Sequence, residues 1–168
     1  PKRFDSGGVK LGGWVGTQRI AKERMSSERK QRLDDIGFIW DPISEAFDEG
    51  FNMLLQFIKL NGHSLVPIRH IEDGYQLGKW VNLRRQSKSN MPPEHRERLD
   101  TVNFVWDAYT ETWNIGIKHL VSFKKRTGHA NVPAKHLENG YRLDIFVAKN
   151  RSDKAKLTVE QLSKLNDL

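Results

Sequence analysis

The chain repeats itself at a fixed interval, and no other feature limits its fold as strongly. Leu11-Gly12-x-Trp14-Val15 returns as Leu77-Gly78-x-Trp80-Val81, and Phe38-x-Trp40-Asp41 returns as Phe104-x-Trp106-Asp107, each displaced by 66 positions. The same displacement carries Gly62-His63-x-x-Val66-Pro67 onto Gly128-His129-x-x-Val132-Pro133, and Gly74-Tyr75 onto Gly140-Tyr141, without a gap. It also sets Pro1 under Pro67 and Gly8 under Gly74, so the chain opens part-way through a repeat. At the other end it reaches Leu168 before a third Phe-x-Trp-Asp falls due. The expected organisation is a truncated unit over 1–41 (second and third helices), a complete unit over 42–107 and a nearly complete one over 108–168.

Within a unit the apolar spacing is helical. Phe47, Phe51, Leu54, Leu55 and Ile58 share one helix face, and Trp113, Ile117, Leu120 and Val121, with neighbouring Phe123, keep the pattern. Gly62 and Gly128 follow the last apolar turn, where a left-handed cap is expected. Asp73-Gly74 and Asn139-Gly140 read as tight turns in a connection that has room for a short strand pair. A second helix is expected from Leu77 to about Arg85. Third helices open at Ser26, at Pro92-Pro93 and at Thr158, which with Gln161 has capping-box spacing. Leu33, Ile36 and Phe38 recur as Leu99, Val102 and Phe104 on that third element. The fold class is therefore all-α, a tandem array of three-helix minidomains, each with one small core.

Composition agrees. Of 168 residues, 37% are hydrophobic and 29% charged, which suits several small modules better than one large globule. No run of about 18 apolar residues and no signal segment occurs, so a soluble, cytoplasmic protein without membrane contact is expected. The absence of cysteine excludes disulfides and thiolate metal sites and fits a reducing compartment. The chain starts at Pro1 without a methionine, which is expected of a piece of a longer protein.

The series Phe57, Gly62-His63-x-x-Val66-Pro67, Asp73-Gly74, Leu77-Gly78-x-Trp80-Val81-x-x-x-Arg85, Leu99, Phe104-x-Trp106-Asp107 resembles the helicase-associated domain family. The resemblance covers nearly the whole chain. It implies tandem three-helix modules, similar in outline to Myb-like helix-turn-helix units, found mostly in bacteria beside superfamily 2 helicase motors. It implies nucleic-acid binding without catalysis, in a parent protein whose motor would be ATP-dependent. The third unit departs from the pattern, with Asp144 in place of the glycine and Phe146 in place of the tryptophan, while Arg151 is kept.

The net charge of +7 is uneven. Residues 1–41 carry nine basic and six acidic groups (+3), residues 42–107 eight and nine (−1), and residues 108–168 eleven and six (+5). Within each unit, cations gather on the second helix and the linker after it: Arg19, Lys22 and Arg24; Lys79, Arg84, Arg85 and Lys88; Lys149, Arg151, Lys154 and Lys156. A patch rebuilt in every unit can contact successive phosphates of DNA or RNA, where released counterions make binding salt-dependent and tolerant of sequence. The competing readings are a solvated face, or a spacer array docking on a helicase motor or another protein.

Arg19, Arg85 and Arg151 occupy one matched position, which suits either a phosphate contact or an ion pair to Asp34 or Asp41, and to Asp100 or Asp107. Arg84, Lys88, Lys22, Arg24, Lys149 and Lys154 have no obvious partner in sequence and are the better candidates for nucleic acid; charge removal at Arg84 and Lys88 should leave folding alone. Trp80 shares a helical stripe with Leu77, Val81 and Arg84 and should point into the core, as should Trp40 and Trp106. His63 with His70, and His129 with His136, are too few ligands for zinc. Gly74-x-x-x-Gly78-Lys79 lacks the spacing and the hydroxyl of a phosphate loop. No catalytic set is suggested by spacing, so a non-enzyme without cofactor or metal is expected.

Overall fold

Asp41 and Asp107, the last residues of the two Phe-x-Trp-Asp motifs, start the two long helices of the computed structural model, which describes residues 10–168. The matches of Pro1 and Gly8 lie outside the described residues. The Asp41 carboxylate accepts from the backbone N–H groups of Ile43 and Ser44 (2.9 and 3.1 Å), and Asp107 accepts from Thr110 N–H (2.9 Å). Each satisfies donors that a helix start leaves open. The helices that follow, α3 (Pro42–Asn61) and α6 (Ala108–Thr127), each run 20 residues and stop at a left-handed glycine, Gly62 (φ 74°) or Gly128 (φ 81°). The remaining helices are α1 (Leu11–Ile20) and α2 (Ser27–Asp34) in the first repeat, α4 (Leu77–Gln86) and α5 (Pro93–Thr101) in the second, and α7 (Leu143–Ser152) and α8 (Val159–Asn166) in the third.

Local chemistry places these boundaries. Ser26 caps α2, Pro93 opens α5, and Thr158 with Gln161 forms a reciprocal capping box on α8. In the connections, Asp73-Gly74 (φ 45° and 81°) and Asn139-Gly140 (φ 51° and 80°) have both central residues left-handed, as a type I′ turn requires. In the third repeat this turn joins β1 (Leu137–Glu138) to β2 (Tyr141–Arg142), antiparallel; in the second repeat it makes the single bridge Glu72 to Tyr75.

The chain divides into two compact units after Phe104, each with its own core. In the second repeat Phe47, Leu54, Leu77, Val81 and Leu99 are fully buried; in the third, Trp113, Leu120, Phe123, Leu143, Phe146 and Val147 form one cluster. A matched glycine lets the helices close. A Cβ on Gly50 would lie 2.2 Å from the Trp80 ring, and one on Gly116 would lie 2.3 Å from the Phe146 ring. Trp80 is 8% exposed, as its stripe predicts. In the first repeat, whose described residues include no long helix, the matched Trp14 is 41% exposed. Two assignments change. Leu55 points outward and Phe57 takes the inward position on α3. Trp40 and Trp106 are only half-buried and follow the third helices, which end at Asp34 and Thr101.

Candidate nucleic-acid interface

The helices α1, α4 and α7 and the turns after them carry the cations singled out in the sequence, and burial sorts them into two groups. Arg24, Lys79, Lys88, Lys149, Arg151 and Lys154 are exposed, whereas Arg19, Lys22, Arg84 and Arg85 are half-buried. The matched arginine fastens the second helix to other parts of its repeat. Arg19 Nε donates to the Ile39 carbonyl (2.9 Å) with its guanidinium 5.6 Å from the Phe38 ring centre. Arg85 donates to the Ser64 carbonyl (3.1 Å) and lies 5.5 Å from Phe104. Of the aspartates considered as partners, Asp34 accepts from Trp40 Nε1 (2.6 Å), and Asp41 and Asp107 cap α3 and α6. Arg151, at the same position, stays at the surface.

Arg84 and Lys22 also have ring partners, the first on the stripe that Arg84 shares with Trp80. The Arg84 guanidinium lies over Trp80 at 5.5 Å and Lys22 Nζ over Trp40 at 5.7 Å. Arg84 Nε is buried without a hydrogen bond, and burial draws the group's pKa below the ordinary guanidinium value. A substitution at Arg84 therefore also removes a ring contact inside its repeat. At the matched positions stand Gln18, which accepts from Arg29 (2.8 Å), and Asn150, which accepts from Trp113 Nε1 (2.9 Å) and donates to the Phe146 carbonyl (2.8 Å).

The repeated histidines are latches of the connection. His70 bonds Glu72 (2.6 Å) and His136 bonds Glu138 (3.0 Å), and each ring packs edge-on at 4.9 Å against Phe57 or Phe123. Glu138 is 5% exposed, and hydrogen bonds from His136, Arg126 and Ser122 hold its pKa down to about 2. Asp144, at the glycine position of the first two repeats, accepts from Lys135 N–H (3.0 Å) and pairs with Arg142 (2.9 Å). On Gly78 a Cβ would meet the Pro67 carbonyl at 2.2 Å, so the third repeat's connection is rebuilt around that carboxylate.

One feature of this unit escapes a reading by charge alone. Between the start of α6 and the outer side of α7 lies an open cleft of about 260 Å³, bordered by Tyr109, Trp113, Tyr141, Phe146, Lys149 and Asn150. Its signal in sequence is the exchange of side chains at matched positions: Tyr109 for Ile43, Lys149 for Leu83 and Asn150 for Arg84.

Compared with known families, three tandem segments, residues 1–41, 44–107 and 110–168, match the Helicase associated domain. The chain belongs to the helicase-associated domain family. The matches follow the 66-residue period closely, and the all-α architecture fits one helical minidomain per helicase-associated repeat. The domain is an accessory one and not itself catalytic. No curated protein and no solved structure matches the chain significantly. Among the described residues no helix is long and apolar enough to cross a membrane.

Proposed function

We propose that the helicase-associated repeats bind the phosphate backbone of nucleic acid and hold it, in the cytoplasm, for a helicase motor elsewhere in a longer chain. The observation that carries this reading is the recurrence of exposed cations on the second helix and its exit. Lys79 and Lys88 occupy that place in the second repeat even though its net charge is −1, and Lys149, Arg151 and Lys154 occupy it in the third. A tandem array presents such patches in succession, so several weak phosphate contacts add. The half-buried Arg19, Arg84 and Arg85 support the helices that carry the patches.

Paired removal of Lys79 and Lys88, or of Lys149 and Lys154, tests the reading. Each pair should weaken binding to any nucleic-acid sequence and flatten the plot of log affinity against log salt by about one per contact removed, in variants whose circular dichroism shows the helical fold retained. Unchanged affinity and slope in both variants would leave these cations as a solvated face and favour a protein-docking array.

A further inference from the structure

We infer that the third repeat holds one unstacked nucleobase of a single-stranded segment in the cleft between α6 and α7. The inference rests on the nucleic-acid reading above and assigns that repeat a contact the others lack. Four rings border the cleft: Tyr109, Trp113, Tyr141 and Phe146. Tyr109 is 59% exposed, and Tyr141 has one face stacked on His119 at 4.5 Å and 4°, so it meets the cleft with its edge or its other face. The polar groups of Asn150 are satisfied within the wall by Trp113 and Phe146. Arg142 and Asp153 also reach the rim, where they are paired with Asp144 (2.9 Å) and Lys156 (2.7 Å). Lys149 remains as an exposed cation at the mouth.

The exposed Tyr109 and the free side of Tyr141, over buried Trp113 and Phe146 with Ile145 and Leu157 completing an apolar lining and Lys149 outside, match a planar base joined to a phosphate. At about 260 Å³ the space falls just below the ~300–1,000 Å³ of ordinary small-molecule sites, which suits one base better than a helix or a larger ligand. The second repeat carries other side chains at the same place. There the Arg84 side chain lies over Trp80, while Ile43 and Leu83 stand where the third repeat has Tyr109 and Lys149. Three exchanges at one location replace the exposed Ile43 and Leu83 and the ring-covering Arg84 with Tyr109, Lys149 and Asn150, adding a fourth ring and an exposed cation to the three rings that both repeats carry.

The test uses the whole chain with a short oligonucleotide carrying a central 2-aminopurine, as single-stranded DNA, single-stranded RNA and duplex DNA. Binding of a single strand should quench the 2-aminopurine. Tyr109→Ala and Asn150→Arg should each lose the quench, and Tyr109→Ala should lose about tenfold in single-strand affinity, the scale of one base stacked on one ring, with its duplex affinity unchanged. Lys149→Ala should weaken both forms. Because Asn150 is buried, the exposed Tyr109 is the variant that keeps the test clean. Single-strand binding without quenching, or equal losses on single strands and duplex in Tyr109→Ala, would overturn the slot and leave the backbone reading standing. A chain that binds none of the three nucleic acids removes both.

Discussion

Gly50 and Trp80 show how single residues set this fold. The tryptophan ring fills the space a side chain would need at Gly50, and Gly116 with Phe146 repeats the arrangement 66 positions on. Gly50→Ala should therefore destabilise the second repeat by about 1–3 kcal/mol through overpacking, and Trp80→Ala by about 3–5 kcal/mol through a cavity. Trp14→Ala, at 41% exposure, should cost much less. Chemical denaturation checks all three, and equal costs for Trp80→Ala and Trp14→Ala would contradict the core assignment. The inward direction of Trp80 is readable from its helical stripe, and so is its glycine in principle, since a matched glycine inside a long helix needs a reason. The partner of Arg84 is readable in this way, but that of Arg19 is not. Trp80 lies four residues from Arg84, but Ile39 lies twenty from Arg19, and nothing in composition selects a carbonyl over a carboxylate.

At the level of elements, boundaries are the best-read part of the sequence because they are decided by neighbours. Ser26, Pro93 and Thr158 start helices, and Gly62 and Gly128 end them, through backbone hydrogen bonding and left-handed geometry within a few residues. The choice of Phe57 over Leu55 as the inward residue of α3 depends on what packs against the helix, so periodicity alone misplaced it. The connection also carries a pH dependence. Glu138 is held at about 2, against an ordinary 4.5, by His136, Arg126 and Ser122. Its contribution to stability is thus complete above the unfolded carboxyl value and is lost as pH falls from about 4.5 towards 2. Glu138→Gln should lower stability at neutral pH and reduce the loss between pH 5 and 2, as followed by circular dichroism of acid unfolding. An acid profile identical to that of the unsubstituted chain would rule out this latch as a source of acid lability.

Across the whole molecule the three helicase-associated repeats share a frame and differ in surface. Their net charges of +3, −1 and +5, the exposed Trp14, the ring-covering Arg84 and the open cleft beside Asn150 give each repeat its own face. The period and fold class are legible in the sequence because matched residues report the same packing twice. The cleft is not, because it arises where three side chains change together and leave space that only coordinates reveal. The most direct measurement is a titration of the whole chain with single- and double-stranded nucleic acid across a salt series. One phosphate contact for each of the exposed cations Arg24, Lys79, Lys88, Lys149, Arg151 and Lys154 predicts binding at low salt whose logarithm falls against log salt with a slope of about −5 on duplex DNA. Absence of binding at low salt, or affinity indifferent to salt, would contradict it.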